Sequence, residues 1–199
     1  MRSMTRRYIR SENPATVTYE TAADFRAWLA ANHARSDGIW LRIFKKGSGL
    51  PSVTYAEALD QAICFGWIDG QKKPMDERSW LQRFTPRRAR SGWSKINTQH
   101  AERLIGSGEM AAAGLKEIEA AKADGRWKAA YDSFGQAKAP DDFLKELARN
   151  KKAQTFFETL NKTNLYSIVY RLQTAKKPET RERRMRAIIA MLERGEKFH

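Results

Sequence analysis

The chain has 199 residues, a hydrophobic content of 41% and a formal net charge of +14 at pH 7. This size allows one sizeable domain or two small ones. The charge favours an acidic partner such as nucleic acid, an anionic membrane surface or a phosphorylated ligand, although basic side chains also serve simply to solvate a surface. The single cysteine, Cys64, excludes an intramolecular disulfide and fits a reducing compartment.

The N-terminal region shows no targeting or membrane segment. No apolar run follows the first arginines, as it would in a signal peptide, and no stretch has the roughly 20 apolar residues that a membrane-spanning helix needs. We therefore expect a cytoplasmic protein without a membrane span. Residues 1–14 are polar, basic and without periodicity, which predicts a flexible basic arm.

The next elements predict a mixed α and β region. Residues 15–19 and 39–45 alternate in the manner of strands. Capping boxes, in which a threonine is followed three residues later by an acidic residue, predict helices over residues 21–32 and 55–65. Cys64 near the end of the second helix is interpreted as a small packed side chain, since no histidine is near it in sequence.

A hairpin is predicted next, with strands over residues 67–71 and 79–85 joined by a polar linker near residues 74–77. Because side chains alternate along a strand, one side of the second strand is expected to be core and the other a basic wall. The two sides comprise Trp80, Gln82 and Phe84, and Leu81, Arg83 and Thr85, respectively.

The rest of the chain is predicted to be helical. Ser94 can cap a helix, residues 111–122 are strong helix formers, and Pro178 begins the last helix. Residues 132–140 lack periodicity and predict a linker. We therefore predict an α+β fold. A small, mostly antiparallel sheet with helices over residues 15–131 is followed by an all-helical module over residues 141–199.

Aromatic and basic residues are densest between residues 66 and 97. Arg83, Arg87 and Arg88 are the strongest candidate anion ligands, because arginine donates hydrogen bonds in a fixed fork that matches phosphate or carboxylate. The aromatic rings nearby have two possible roles, as stacking platforms worth about 1–3 kcal/mol per base or as core residues. They are Trp67, Trp80, Phe84 and Trp93.

Two further residues have open interpretations. Asp69 can orient Arg83 or Arg87, or it can belong to an ordinary Asp-Gly turn. His100 can act as a general base, but no partner is identifiable in the sequence, which favours a capping or partly buried role. The candidate anion- or ligand-binding set is Asp69, Arg83, Arg87, Arg88, Trp93, Lys95, Asn97 and His100. No metal site or cofactor is expected, since the usual cysteine, histidine and glycine motifs are missing.

Three stretches carry a family resemblance. They are residues 64–97 (CFGWIDGQKKPMDERSWLQRFTPRRARSGWSKIN), residues 108–114 and the closing AKKPETRERRMRAIIAMLERGE. Over nearly the whole chain after residue 15, the sequence resembles the YdeI/OmpD-associated family, also called bacteriocin-protection proteins. The resemblance implies a cytoplasmic bacterial protein linked to envelope stress and to tolerance of bacteriocins or cationic antimicrobial peptides. It implies no known reaction and no catalytic residues.

Three functions are compatible with the sequence. The first is a non-enzymatic stress-tolerance protein that binds an anionic partner, such as nucleic acid, through the surface of residues 83–95. The second is a small-molecule enzyme or ligand sensor, and the third is an adaptor whose helical stripes near residues 165 and 185 bind another protein. A cationic protein repels a cationic peptide, so tolerance is expected to be indirect. The pocket of the second hypothesis comprises Asp69, Arg83, Trp93, Asn97 and His100.

Overall fold

The computed structural model describes residues 15–199, so the predicted basic arm over residues 1–14 lies outside the described residues. The described chain divides into two compact units. The first unit contains the residues up to Ser91 together with Gln99–Trp127, and the second contains Gly92–Thr98 together with Lys128–His199. Residues 132–140 hold no helix or strand. The linker and domain bounds predicted from the sequence stay a prediction.

The first unit is built around a four-stranded sheet in the order β1-β2-β4-β3, in which only the β1–β2 pair is parallel. Helices follow or separate the strands. The predicted α+β class with a mostly antiparallel sheet is confirmed. The elements are β1 (Thr16–Val17), α1 (Ala22–Asn32), β2 (Ile39–Phe44), α2 (Tyr55–Cys64), β3 (Trp67–Pro74), β4 (Ser79–Pro86), α3 (Lys95–Gly106, whose first four residues belong to the second unit) and α4 (Ala112–Ala123).

Local sequence explains the two helices that pack on the sheet. Thr21 and Thr54 each accept a hydrogen bond from the backbone N–H three residues on, and the acidic residue there bonds back to the threonine. Both predicted capping boxes are confirmed. Phe25 of α1 contacts Phe84 of β4, with ring centroids 5.7 Å apart. The helices therefore cover the sheet face that carries Phe84.

Strand β3 is longer than predicted, and its pairing with β4 is irregular. It continues to Pro74, which is tolerated because β3 is an edge strand of the sheet. A β-bulge shifts the pairing with β4 between Asp69 and Lys72. The buried Gln82 side chain donates a 2.9 Å hydrogen bond to the carbonyl of Gly70 in this bulge, which explains an amide on a core-facing position.

A close backbone contact joins α2 and α4. A Cβ atom at Gly114 would lie 2.4 Å from the carbonyl oxygen of Cys64 and 2.7 Å from that of Ile63. Only glycine therefore fits this position of α4. The Cys64 thiol is fully buried, and burial raises its pKa, as expected for a packed rather than a nucleophilic cysteine.

The second unit is helical, as predicted for residues 141–199. Its core is formed by apolar side chains of four helices, and Pro178 begins the last of them. The segment before α3 also belongs here, because Tyr131 N–H donates to Trp93 O (3.0 Å) and Lys95 N–H donates to Tyr131 O (2.8 Å). The helices are α5 (Asp141–Leu147), α6 (Lys151–Phe157), α7 (Lys162–Gln173) and α8 (Pro178–Glu193).

Candidate functional site

The sheet face opposite Phe84 combines aromatic and cationic side chains. Strand β2 alternates, so Ile39, Leu41 and Ile43 are buried while the residues between them are half-buried and lie on the other face. The predicted alternation of β4 is confirmed in the same register. We call the resulting set the Trp40 face. It comprises Trp40, Arg42 and Phe44 of β2, Lys73 of β3, and Leu81 and Arg83 of β4.

Cations lie over both aromatic rings of the Trp40 face. Lys73 Nζ is 4.5 Å from the ring centroid of Trp40, and Arg83 Cζ is 5.9 Å from the same centroid. Arg42 Cζ is 4.7 Å from the Phe44 centroid. These distances are typical of cation–π contacts. Each contact restricts the rotamers of a long side chain, and the attraction between cation and ring offsets this loss of entropy.

Arg83 is the most enclosed of these cations. Burial lowers the pKa of its guanidinium, against the opposing effect of Asp37. Its Nη2 donates a 3.3 Å hydrogen bond to the backbone carbonyl of Asp37, whereas Nη1 is buried and has no acceptor within the described residues. Gly38 makes this approach possible, since a Cβ there would lie 2.7 Å from Nη2.

Arg42, in contrast, is neutralised within the protein. Its Nη2 lies 2.6 Å from a carboxylate oxygen of Asp76, and its Nε donates to Ser79 Oγ. Hydrogen bonds, first of all from Ser79, lower the pKa of Asp76. Among residues 15–199, Lys73 and Arg83 have no comparable ion pair within 4 Å, so the cations of this face that no direct ion pair neutralises lie around Trp40.

Asp69 lies on the opposite face of the sheet, in register with Phe84. It accepts a 2.8 Å hydrogen bond from Tyr55 Oη of α2, and burial, followed by this carboxylate, raises the pKa of Tyr55. Asp69 therefore does not orient Arg83. Nearby, Lys72 Nζ lies 4.3 Å from the ring centroid of Trp80, which is half-buried.

The remaining candidate site residues of the first unit are Arg87, Arg88 and His100. Arg87 is 7% exposed, and its N–H bonds the carbonyl of Gly66. Arg88 is exposed in a turn closed by Ser91. His100 has the partner that the sequence did not reveal, because its Nδ1 lies 2.7 Å from a carboxylate oxygen of Asp60, whose other oxygen binds Arg103.

Trp93, Lys95 and Asn97 belong to the second unit. Trp93 is 1% exposed and Phe84 is fully buried, so these two rings have the core role, the second of the two roles that the sequence left open. Asn97 is buried in the first turn of α3, where its N–H donates to Ser94 Oγ, which confirms the predicted cap. Lys95 forms a 2.6 Å ion pair with Asp132.

The ion pair of Lys95 makes stability depend on pH. Burial alone would raise the pKa of Asp132, but hydrogen bonds from Lys95 and Gln173 outweigh it and lower this pKa. A depressed carboxyl pKa stabilises the fold above the unfolded value near 3.9, and this contribution is lost as pH falls through the folded pKa. Lys95→Met should therefore lower the free energy of unfolding by about 1 kcal/mol at pH 7, since exposed Lys95 is screened by water.

Urea denaturation at neutral and strongly acidic pH measures this difference. The gap between Lys95→Met and the wild type should close in acid, where Asp132 is protonated. A gap that stays constant with pH would mean that the lysine contributes through packing and not through its charge.

None of the helices in the described part of the chain is long and apolar enough to cross a membrane. Within residues 15–199, no three His, Cys, Asp or Glu side chains are grouped so that they could hold a metal ion.

The chain matches two family models in different segments. Residues 136–195 match the model described as Bacteriocin-protection, YdeI or OmpD-Associated, so the resemblance stated above is confirmed for this segment. The WIDG and RFTPR motifs lie instead in residues 17–117, which match the model described as Domain of unknown function (DUF8412). No curated protein and no solved structure matches the chain. Because residues 17–117 make up just over half of its length, the protein belongs to the family described as Domain of unknown function (DUF8412).

Proposed function

We propose that this is a non-enzymatic tolerance protein that binds a phosphate-bearing polyanion through the Trp40 face. The observation that carries the proposal is the pair of cations, Lys73 and Arg83, over one tryptophan ring without a carboxylate ion pair in residues 15–199. The match of residues 136–195 to a bacteriocin-protection model supports the tolerance role.

The electrostatic argument rests on how these cations are held. Two like charges at one ring repel each other, and burial of Arg83 adds a desolvation cost that lowers its pKa. An incoming phosphate relieves both costs, because it supplies acceptors for side chains that are already positioned. The net charge of +14 adds long-range attraction for any polyanion.

The alternative of a small-molecule pocket has no comparable support. Its members in the first unit bind separate partners, since Asp69 accepts from Tyr55, Arg83 donates to Asp37 and His100 pairs with Asp60. Trp93 and Asn97 are buried in the second unit. The polyanion surface is therefore preferred, and cytoplasmic location is part of the same proposal.

The proposal is tested by measuring affinity as a function of salt, with a single-stranded oligonucleotide in one series and inorganic polyphosphate in the other. The slope of log K against log salt reports about 0.7 for each phosphate of a single strand that a cation neutralises. The double variant Lys73→Gln/Arg83→Gln should lower this slope by roughly 1.4 and weaken binding about tenfold.

Lys122→Gln is the matched control. Lys122 Nζ also lies over a tryptophan, 5.3 Å from the Trp127 centroid, but on α4 instead of the sheet. If the control, which removes one charge, loses as much affinity per charge as the double variant does, the binding is due to net charge alone and the proposed site is contradicted. Equal binding of both polymers identifies phosphate as the shared feature, whereas salt-independent or absent binding refutes the proposal.

A further inference from the structure

A second cationic groove lies within the helical unit, between α7 and α8. It has a volume of about 570 Å³, within the usual range for small-molecule sites. Its lining combines apolar and basic side chains with three further polar residues. The lining residues are Ala187, Ile188, Met191 and Phe198, then Arg171, Arg184 and Arg194, then Tyr170, Thr174 and Glu196.

The three arginines of this α7–α8 groove are not equivalent. Arg194 forms a two-point hydrogen-bonded pair with Glu196, at 2.9 and 3.1 Å, and is neutralised. Arg171 and Arg184 have no ion pair within 4 Å in the described residues. The Arg194–Glu196 pair is neutral, and the lining holds no second carboxylate. The two remaining guanidinium charges of the groove therefore favour an anion there.

Both free guanidiniums are held in place. Arg184 Nη1 donates to the carbonyl of Arg171 at 2.7 Å, which satisfies an orphan carbonyl at the C-terminal end of α7. Arg171 lies with Cζ 3.8 Å from the Phe198 ring centroid. Phe198 is fixed in turn, because the adjacent His199 exchanges hydrogen bonds with Asn164. Arg171 also donates from Nη1 to the carbonyl of Ser167, and Arg184 Nη1 donates a second, longer hydrogen bond to Thr174 Oγ1. Each arginine therefore keeps the N–H groups of Nε and Nη2 for a ligand.

We propose that the α7–α8 groove binds a small amphipathic anion, with a carboxylate or phosphate head at Arg171 and Arg184 and an apolar chain along Ile188, Met191 and Phe198. The head gains charge-assisted hydrogen bonds from two preorganised forks. The chain removes apolar surface from water in a concave site, where burial is favourable. This site is independent of the Trp40 face.

Calorimetric titration of the full chain tests the site with three probes below their micelle concentrations. Dodecanoate and dodecyl phosphate distinguish the two head groups, and dodecyl maltoside is the uncharged control. At least one anionic probe should bind, and the maltoside should bind at least tenfold more weakly. Equal binding of the maltoside, or no binding of either anion, overturns the proposal.

Two variants locate the binding. Ala187→Phe fills the groove from an exposed position without changing charge, and Arg171→Gln removes one free cation. Each variant should lower the affinity for the anionic probe about tenfold or more. Arg183→Gln removes the same charge from an exposed position of α8 that does not line the groove and should bind as the wild type does. Affinities that are equal in all three variants place the binding elsewhere and refute the site.

Discussion

Replacing Trp40 with alanine should weaken polyanion binding about 5- to 30-fold. The ring holds Lys73 and Arg83 at 4.5 and 5.9 Å, and each exposed cation–π contact is worth roughly 0.5–1 kcal/mol. Without the ring, both side chains regain their rotamer freedom and must be ordered again on binding. Fluorescence anisotropy with a labelled single-stranded oligonucleotide at fixed salt measures the change in Kd.

Two variants make this result specific. Trp40→Phe keeps an aromatic surface and should retain most of the affinity. Trp127→Ala removes another half-buried tryptophan that carries a lysine, in the same unit but outside the sheet, and should leave Kd unchanged. If Trp40→Ala binds as tightly as the wild type, the cations do not depend on the ring and the Trp40 face is not the binding site.

Gly114→Ala should destabilise the first unit by about 2 to 3 kcal/mol. In an ordinary helix this substitution stabilises by roughly 1 kcal/mol, since alanine has the higher helix propensity. Here the new Cβ would lie 2.4 and 2.7 Å from two carbonyl oxygens of α2. Backbone atoms cannot rotate away as the nearby Met110 side chain can, so α4 must move from α2 and lose packing.

Gly106→Ala is the control for this sign reversal. Gly106 is the last residue of α3, and a Cβ there would meet nothing within 4 Å. Its substitution should be neutral or stabilise by up to about 1 kcal/mol. Urea unfolding of both variants gives the two differences in free energy. If Gly114→Ala is as stable as the wild type, α2 and α4 are not packed this closely.

Local patterns predicted much of the fold. The capping boxes at Thr21 and Thr54 involve only residues three apart, so they can be predicted from the sequence, and both are present. The alternation of β4 also predicted that Arg83 and Phe84 lie on different faces of the sheet, because it depends only on neighbouring residues. The alternation of β2 also indicates that Trp40 shares a face with Arg42. This signal predicts an aromatic centre outside residues 66–97, where the candidate site was expected.

Contacts between residues that are far apart in sequence could not be predicted from the sequence. Asp60 and His100 are 40 positions apart and meet only because α2 and α3 pack in the same unit. The basic stretch was expected to form one surface. Instead, Arg83, Arg87 and Arg88 belong to the first unit. The second unit contains Trp93, Lys95 and Asn97. Proximity in sequence does not determine which core a segment joins, because buried Trp93 accepts a backbone hydrogen bond from Tyr131, which is distant in sequence.

The sequence by itself determined which residues of β2 and β4 share a face, since side chains alternate with a period of two. It did not determine which lysine of β3 joins Trp40. In an uninterrupted register Lys72 would oppose Leu81 and lie on the Trp40 face. The bulge after Asp69 adds one residue to β3, so Lys73 opposes Leu81 instead and Lys72 turns to Trp80. A shift of one residue exchanges the two faces of a strand, and only the pairing of β3 with β4 sets that shift. Here the Gln82 side chain stabilises the bulge by donating a hydrogen bond to the carbonyl of Gly70.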